Sequence, residues 1–231
     1  MSKTILITGS RKGIGRFLVE YYLNKNYNVI GCSRTSSDLV HKNYLHIEGD
    51  VSIEKDVINI VKLGFKKFNS IDILINNAGK ASLNHFLLTP AKTLKEIFEV
   101  NFNGSFYFSR QCSKIMMKKK FGRIINFSTI AVPLNLEGEL VYSSSKSAIE
   151  KMSKIMAKEL SKFNITVNTI GPTPIDTDLI KVVPRDKVTE ILNQQTIKRF
   201  GKFDDIANVI DFFIDDNSSF ITGQKIYLGG L

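Results

Sequence analysis

The stretch Lys3–Gly15, KTILITGSRKGIG, leads from a strand-like run into a glycine-rich turn, and a segment of helical period follows it. Gly9 can supply a tight turn, Gly13 lets the backbone approach a pyrophosphate, and Gly15 lets the helix pack closely on the strand. The helix N-terminus adds free N–H groups and a positive dipole end. The spacing G-x-x-x-G-x-G is only moderately specific by itself, but it predicts a nucleotide phosphate cradle. The predicted cradle consists of Gly9, Ser10, Arg11, Lys12, Gly13, Ile14 and Gly15.

Length and composition are those of a chain that can bury a full core. The 231 residues are 43% hydrophobic and 23% charged, and no long linker or low-complexity segment divides them. We therefore predict a single domain over residues 1–231. No apolar run reaches the roughly 18 residues of a membrane span, and Met1–Thr4 leads into a strand without a signal-like apolar segment. We expect a cytoplasmic protein with no membrane partner.

The two cysteines, Cys32 and Cys112, fall in a strand-like and a helix-like segment. Neither has metal-ligand spacing to the other or to a histidine. We predict buried free thiols and no metal site, in preference to a disulfide.

The net charge of +10 raises the question of a nucleic-acid partner. The basic residues are spread along the chain, and their densest run is Lys118–Lys120 with Arg123. No zinc finger, RNA-recognition signature or arginine-rich arm accompanies them. A basic face for an acidic or phosphorylated partner and plain solvation both stay open, and we expect no nucleic-acid partner.

Strand-length apolar runs alternate with segments of helical period along the chain. The predicted strands lie near Thr4–Thr8, Asn28–Cys32, Tyr44–Ile47, Ile71–Ile75, Arg123–Phe127, Ile165–Ile170 and Lys225–Leu228. Among the helices, Ile53–Phe68 has Ser52 as its expected cap, and Thr89-Pro90 is typical of a helix start. The alternation predicts an α/β Rossmann fold, a doubly wound parallel seven-stranded sheet with helices on both faces. Ligands of such a sheet bind beyond the carboxyl ends of the strands.

With these elements in place, the chain resembles the short-chain dehydrogenase/reductase family over essentially its whole length, and in particular the 3-oxoacyl-[acyl-carrier-protein] reductase branch. The matching motifs are TGSRKGIG at Thr8–Gly15, GDV at Gly49–Val51, NNAG at Asn76–Gly79, VNFNG at Val100–Gly104, YSSSK at Tyr142–Lys146, TVN at Thr166–Asn168 with Pro172, and FITGQ at Phe220–Gln224. The run RFGKFDDIA at Arg199–Ala207 is similar to the carrier-protein reductases specifically. The number of matches in one order argues against accident.

Tyr142 and Lys146 are the predicted catalytic pair. Tyr21 and Lys25 have the same spacing but lie behind the phosphate turn, so the spacing alone is weak. Tyr142 and Lys146 begin a helix after the strand that ends near Phe127, and their four-residue offset places both on one face. Reduction of a ketone needs a hydride at carbon and a proton at oxygen. Tyr142 can donate that proton, and the Lys146 ammonium together with an oxidised cofactor ring would favour the phenolate.

The resemblance implies further roles for neighbouring residues. Lys146 also hydrogen-bonds the nicotinamide ribose, and Asn101 holds a water chain that resupplies the proton, with a satisfied helix residue as the alternative for Asn101. The family's serine, thirteen residues before the tyrosine, is Thr129 here. Its hydroxyl can donate to the substrate carbonyl. We predict Thr129 rather than the adjacent Ser128 for this role, and a strand end shifted by one residue would reverse the choice.

The end of the second predicted strand decides the cofactor. An acidic residue there would favour NAD(H), but the strand ends Cys32-Ser33-Arg34-Thr35. Arg34 and Lys12, with the hydroxyls of Ser33 and Thr35, form a predicted anion site for a 2′-phosphate, so NADP(H) is favoured over NAD(H). Surface solvation of the two cations is the alternative. The remaining implied contacts are Asp50 and Val51 for the adenine, and Asn77, Ala78 and Gly79 for its ribose.

The resemblance also gives the loop after the sixth strand a cofactor role. The family's Pro-Gly is Pro172-Thr173 here, and Ile175 and Thr177 are the implied contacts for the carboxamide and the pyrophosphate. Thr173 cannot take a positive φ cheaply, so the family's conformation does not transfer directly. Residues 179–200 are the predicted substrate lid.

Two classes of function stay open. The first is an NADPH-dependent carbonyl reductase, foremost of a 3-oxoacyl thioester in fatty acid synthesis, with Lys118–Lys120, Arg123 and Lys162 as a landing site for an acidic acyl carrier protein. Its rival within the enzymes is a reductase of another carbonyl, such as a sugar intermediate of polysaccharide synthesis or a small ketone. The second class is a cofactor-binding sensor or scaffold without turnover. The resemblance also implies a homotetramer, or a dimer, built through Pro90–Met117 with Val141–Lys162 and through Phe220–Leu231.

Overall fold

A computed structural model of the chain describes residues 2–178, 180 and 183–230. Within this part of the chain, no helix combines the length and the apolar character that a membrane crossing needs. The predicted lid at residues 179–200 falls partly outside it, since Leu179, Lys181 and Val182 are not among the described residues.

In the described residues, seven parallel strands form one sheet in the order β3-β2-β1-β4-β5-β6-β7. The strands are β1 (Thr4–Thr8), β2 (Asn28–Ser33), β3 (Tyr44–Glu48), β4 (Ile73–Asn76), β5 (Gly122–Phe127), β6 (Ile165–Gly171) and β7 (Lys225–Tyr227). The strand order reverses between β1 and β4, which opens a crevice at the carboxyl ends of these strands. The predicted doubly wound Rossmann sheet is confirmed.

Helices cover both faces of the sheet. Those of the described residues are α1 (Gly13–Asn24), α2 (Glu54–Phe68), α3 (Ala91–Phe98), α4 (Gly104–Lys119), α5 (Ala131–Leu134), α6 (Leu140–Leu160), α7 (Arg185–Gln194) and α8 (Phe203–Ile214). A π-helical turn, Glu99–Asn103, joins α3 to α4.

Each face of the sheet carries its own hydrophobic core. Ile5 and Ile7 of β1 pack with residues of α1 and α8, whereas Leu6 packs with residues of α2 and α4. All three side chains are fully buried. Burial of one such side chain contributes about 1.5–3 kcal/mol. A strand covered on both faces therefore needs apolar residues at successive positions, as the sequence of β1 shows.

Two predicted helix caps are wrong. The Ser52 hydroxyl donates to Asp50 at 2.6 Å, and α2 begins without a side-chain cap. The Thr89 hydroxyl donates to the carbonyl oxygen of His85 at 3.1 Å, and Pro90 is the N-cap residue of α3. In both places a short polar side chain closes a local turn instead of capping the helix that follows.

The predicted basic landing site lies away from the crevice, and one of its cations is buried. The run Lys118–Lys120 lies at the carboxyl end of α4, directly before β5 begins. It therefore lies near the amino ends of the strands and away from the crevice at their carboxyl ends. Lys119 forms an ion pair with Asp72, whose side chain is buried, and Arg123 is only 1% exposed. A docking partner at the crevice would not meet these cations.

The second Tyr-x-x-x-Lys motif has a structural role. The Tyr21 hydroxyl and Lys25 Nζ each donate to Asp211 of α8 at 2.6 Å, and the Tyr22 hydroxyl donates to the same carboxylate at 3.1 Å. This carboxylate fastens α1 to α8.

Both cysteines are free and fully buried, as predicted. Burial raises the pKa of the Cys32 thiol to about 12, which makes it unreactive at neutral pH. Within the described part of the chain, no cluster of three or more His, Cys, Asp or Glu side chains could hold a metal ion.

The first helix approaches the sheet through Gly15. A Cβ at this position would lie 2.1 Å from the carbonyl oxygen of Gly9 and 2.6 Å from Nδ2 of Asn77. That Nδ2 donates to the carbonyl oxygens of Thr8 at 2.9 Å and of Gly9 at 3.3 Å. The amide that ties the end of β4 to the turn therefore occupies the space beside Gly15.

We expect Gly15→Ala to lower the free energy of unfolding by about 3 kcal/mol, because the added methyl group must displace backbone. Gly13→Ala is the matched control. A Cβ at position 13 would meet only Thr177, at 3.6 Å, and the backbone there has a left-handed φ of +56°. Gly13→Ala should therefore lower the free energy of unfolding by about 1 kcal/mol, the cost of placing alanine in that conformation. Urea unfolding followed by circular dichroism measures both losses. Equal losses would contradict a clash at Gly15.

Candidate active site

The carboxyl end of β5 and the first turns of α6 bring two predicted catalytic side chains together. Tyr142 and Lys146 lie one turn apart on α6. Lys146 is 3% exposed, and its Nζ donates at 2.8 Å to the carbonyl oxygen of Phe127, the last residue of β5. The same Nζ lies 6.0 Å from the centre of the Tyr142 ring. Gly79 faces this ammonium from the loop after β4, since a Cβ on Gly79 would lie 3.5 Å from Nζ.

The hydroxyl that faces Tyr142 belongs to Thr129 and not to Ser128. The Thr129 side chain interacts with the Tyr142 side chain and lowers its pKa, and the Thr129 Oγ1 accepts from the backbone N–H of Ala131 at 3.2 Å. The Ser128 hydroxyl instead donates to Glu150 at 2.5 Å. Tyr142 and Thr129 can thus present two hydroxyl donors to one carbonyl oxygen.

Burial shifts the proton affinities of Tyr142 and Lys146 in opposite directions. It raises the pKa of Tyr142 to about 12; Glu139 raises it further, and the hydrogen bond with Thr129 opposes the shift. Burial lowers the pKa of Lys146 to about 8, because the ammonium loses its hydration. The upward shift of the Tyr142 pKa differs from the expectation that Lys146 favours the phenolate, since desolvation dominates both groups. Tyr142 is a protonated phenol at neutral pH and can donate a proton.

Asn101 lies in the π-helical turn and is fully buried. Its Nδ2 donates to the Lys80 carbonyl at 3.0 Å and to Ser145 Oγ at 2.9 Å, and its Oδ1 accepts from the Lys80 N–H at 2.8 Å. Both amide hydrogens are therefore used within the protein and cannot donate to the predicted water chain. The side chain holds the loop after β4 against α6.

The glycine-rich turn presents its backbone to the crevice. Gly9 and Gly13 have φ values of +68° and +56°, a region that other residues enter at a cost. Ser10 is fully buried, and its hydroxyl donates to the carbonyl oxygen of Cys32 at 3.3 Å, so its side chain faces the interior. Ile14 packs against the core on the face of α1 and α8.

The predicted anion site at the end of β2 is only partly assembled. Lys12 forms an ion pair with Asp178 at 3.0 Å, and both side chains are more than half exposed. The Ser33 hydroxyl donates to the carbonyl oxygen of Thr35 at 2.7 Å. Two groups expected to assist Arg34 are thus engaged within the protein. Arg34 is exposed at this turn and supplies its charge.

The side of the crevice predicted for the adenine is fixed by local contacts. Asp50 Oδ1 accepts from the backbone N–H of Ser52 at 2.9 Å, which closes a turn after β3. Val51 is 8% exposed and packs on Gly104 of α4, where a Cβ would lie 3.1 Å from the Val51 side chain.

The loop after β6 lies opposite the glycine-rich turn. Thr173 is 6% exposed and does not adopt a positive φ, so the loop carries no left-handed strain there. Ile175 forms a backbone bridge with Gly201, and the Thr177 side chain faces Gly13. The implied cofactor contacts therefore border the phosphate turn.

Two residues of the site belong to no motif noted in the sequence. Glu139 is the N-cap residue of α6 and raises the pKa of Tyr142, and burial raises the pKa of Glu139 itself. The spacing of three residues between Glu139 and Tyr142 is a helical signal that could have found it. His46 of β3 contacts Ser33 Oγ at 3.1 Å and the Thr35 carbonyl at 3.0 Å. That contact depends on the pairing of β2 with β3, which no local pattern gives.

We expect the burial of Lys146 to make stability depend on pH. The unfolded chain keeps the Lys146 proton up to about pH 10.5, whereas the folded protein releases it near pH 8, so stability should rise with pH between these values. Lys146→Met removes the ionisable group. The free energy of unfolding of wild type should therefore rise, relative to that of Lys146→Met, by about 3 kcal/mol between pH 7 and pH 10.5. Urea unfolding at both pH values checks this, with Lys151→Met on the exposed face of α6 as the control. A difference that does not change with pH would contradict the prediction.

Comparisons with known proteins agree with this geometry. Residues 3–188 match the family model described as short chain dehydrogenase. The 3-oxoacyl-[acyl-carrier-protein] reductase FabG of Buchnera aphidicola subsp. Schizaphis graminum is 33% identical over 234 residues, which are 99% of this chain and 96% of that protein. The FabG of Salmonella typhimurium is 31% identical over 238 residues, with the same shares of 99% and 96%.

A solved structure, ElxO with NADP bound, has a TM-score of 0.90 and 27% identity, covering 99% of this chain and 97% of that one. A tyrosine-to-phenylalanine variant of ElxO with NADPH bound has the same TM-score and identity, covering 98% and 97%. The family model spans most of the sequence, and both relatives exceed 30% identity over nearly their full length. The chain belongs to the short-chain dehydrogenase family of oxidoreductases.

Proposed function

We propose that the protein is an NADPH-dependent reductase that converts a carbonyl group to a secondary alcohol. The observation that carries this proposal is the arrangement of Tyr142, Thr129 and Lys146, in which two hydroxyls meet beside a buried ammonium. A carbonyl oxygen placed between the two hydroxyls would receive two hydrogen bonds as negative charge develops on it.

In the proposed reaction, side chains of this protein bind the carbonyl oxygen of the substrate and supply its proton. NADPH supplies the hydride when bound. Thr129 and Tyr142 hold the carbonyl oxygen, and Tyr142 gives up its proton to that oxygen. Lys146, with a pKa lowered by burial to about 8, can exchange a proton near neutral pH and is held in place by the Phe127 carbonyl. Asn101 keeps the adjoining loop and α6 together.

The residues around the crevice fit a dinucleotide with a 2′-phosphate. Backbone N–H groups of the glycine-rich turn and the N-terminus of α1 would hold the pyrophosphate. The positive φ values of Gly9 and Gly13 and the open space at Gly13 allow that close approach. Arg34 would contact the 2′-phosphate, and the ElxO structures with NADP and NADPH support the same choice.

For the substrate, we favour a 3-oxoacyl thioester on an acyl carrier protein, because both relatives described above carry that name. The carrier would have to approach at the carboxyl edge of the sheet, since the basic run at Lys118–Lys120 lies at the other edge. Phe86, Leu87 and Leu88, in the segment after β4, are 65%, 79% and 76% exposed and offer an apolar contact there.

A second candidate substrate is a hydroxylated carbonyl compound such as a sugar intermediate. Glu139 favours it, because this half-buried carboxyl acts on Tyr142 and could accept hydrogen bonds from substrate hydroxyls. A fatty acyl chain offers no such donors.

The proposal includes a cytoplasmic homotetramer. Helices α4 and α6 carry the exposed apolar side chains Phe106 and Ile155, at 39% and 46%, and Phe220 before β7 is 99% exposed. Exposed apolar side chains of this size support association through these surfaces.

Turnover is tested by following NADPH oxidation with acetoacetyl thioesters of coenzyme A and of acyl carrier protein, and with a panel of keto sugars. We expect Tyr142→Phe to lower kcat by about 10²–10⁴-fold, because the general acid is lost, while the Kd for NADPH stays within twofold. Thr129→Ser keeps a hydroxyl and is the conservative control.

Retained turnover in Tyr142→Phe would exclude the mechanism. NADPH binding without turnover on any carbonyl would point to the sensor or scaffold, and preference for keto sugars would favour the second substrate.

Cofactor selectivity is tested at Arg34. We expect Arg34→Ala to raise the Kd for NADPH by about 10–100-fold, because a charged hydrogen bond contributes about 1.5–3 kcal/mol, and to leave the Kd for NADH nearly unchanged. Lys12→Ala should have a smaller effect, since Lys12 is paired with Asp178. Lys42→Ala, at another exposed position, is the neutral control. Equal losses for both cofactors would show that Arg34 does not contact the 2′-phosphate. Fluorescence titration measures each Kd.

A further inference from the structure

A buried carboxylate on α6 has no part in the chemistry proposed so far. Glu150 lies two turns beyond Tyr142 and is 8% exposed. Its Oε1 accepts from the Ser128 hydroxyl at 2.5 Å and from the Tyr227 hydroxyl at 2.6 Å, and its Oε2 accepts from Lys225 Nζ at 2.7 Å. These three donors, one of which is a balancing ammonium, satisfy a carboxylate that would otherwise be costly to bury.

The contact with Ser128 places Glu150 next to the reaction centre. Ser128 is 3% exposed, its backbone N–H donates to the Ile170 carbonyl at 2.7 Å, and its chain neighbour is Thr129. Lys146 Nζ donates to the Phe127 carbonyl, and the Thr129 side chain interacts with that of Tyr142 and lowers its pKa. One face of α6 therefore contacts three consecutive residues, Phe127–Thr129, at and just after the end of β5. Glu150 makes the contact with the middle residue, Ser128.

The other side of the carboxylate is anchored on β7. The Tyr227 ring lies against Gly171 of β6, where a Cβ would come within 2.2 Å of the ring. Burial, followed by Glu150, raises the pKa of Tyr227 to about 12, so its hydroxyl stays protonated and donates at neutral pH. Lys225 Nζ lies 4.7 Å from the centre of the same ring. Glu150 thus joins the last strand of the sheet to Ser128.

We propose that Glu150 is a positioning residue for the Thr129 hydroxyl, acting through Ser128 and braced by Lys225 and Tyr227 of β7. The inference rests on the proposed function, in which Thr129 binds the substrate carbonyl. Without this contact, the buried Ser128 hydroxyl must find another acceptor and the strand end shifts with it. Misplacement of a binding group by about 1 Å can cost about 10²-fold in rate.

A merely structural role for Glu150 predicts something different. If the carboxylate only fastened β7, its removal would lower the melting temperature and leave kcat and its pH dependence unchanged. A positioning role predicts a fall in kcat with unchanged cofactor affinity. It also predicts a shift in the pH profile of alcohol oxidation, which needs the Tyr142 phenolate. Loss of the hydrogen bond from Thr129 raises the pKa of Tyr142, so the acidic limb of that profile should move to higher pH.

The test uses Glu150→Ala, Glu150→Gln, Ser128→Ala and the double variant Ser128→Ala/Glu150→Ala in the full chain. We expect kcat to fall about 10-fold or more in Ser128→Ala and in Glu150→Ala, with the Kd for NADPH within twofold of wild type. Glu150→Gln keeps an acceptor oxygen and should recover part of the rate. Because Glu150 acts through Ser128, the double variant should be no slower than the slower single variant. Glu159→Gln, exposed on the same helix, is the matched control.

Ser128→Ala keeps the inference testable if loss of the buried carboxylate prevents folding. A kcat for Ser128→Ala within twofold of wild type, or additive losses in the double variant, would overturn the inference. If wild type reduces no carbonyl with NADPH, the proposed function fails by itself. Amide hydrogen exchange over residues 127–131 then tests the coupling: faster exchange in both single variants supports it, and unchanged exchange rejects it.

Discussion

The fastening of α6 onto the end of β5 is the interaction on which the candidate site depends. The Lys146 ammonium spans from the helix to the Phe127 carbonyl at 2.8 Å, and the Tyr142 side chain meets Thr129 two residues further on. Both contacts join a helix face to a strand end, so the spacing within the helix and the pleat of the strand together decide where each hydroxyl points. The cost of this contact is the burial of an ammonium that donates to a neutral carbonyl, and this burial lowers the pKa of Lys146 to about 8.

A second close contact relates the phosphate turn to that pair. Asn77, directly after β4, donates to the carbonyl oxygens of Thr8 and Gly9, and only a glycine at position 15 leaves room for its amide. Two residues later, Gly79 faces Lys146. The segment Asn77–Gly79 therefore touches the phosphate turn at one end and the candidate catalytic ammonium at the other. Because three consecutive residues span both places, the backbone and not flexible side chains sets the separation between the phosphate turn and Gly79.

The sheet could be predicted almost completely from the sequence, since successive apolar residues such as Ile5, Leu6 and Ile7 are what a strand buried on both faces requires. The Tyr142–Lys146 pair could also be predicted, because its spacing is local. Contacts between distant parts of the chain could not. Arg123 has the sequence appearance of a surface cation but is buried, and Lys12 is paired with Asp178, which lies 166 residues away. Glu150 falls in an ordinary helical stretch, and its three partners come from β7 and the residue after β5.

The two shifted pKa values also show why the geometry matters more than the acidity of either group. Considered separately, Tyr142 with a pKa of about 12 is a weak acid, and Lys146 with a pKa of about 8 loses its positive charge more readily than an ordinary lysine. The same desolvation that shifts both values strengthens the attraction between a phenolate and an ammonium, because the effective dielectric constant around them is low. In the proposed reaction, a negative charge on the Tyr142 oxygen would therefore be stabilised by the Lys146 ammonium, whose Nζ lies 6.0 Å from the centre of the Tyr142 ring. A pair of this kind works only while the ammonium stays within reach of the phenol, and the Phe127 carbonyl is the group that keeps it there.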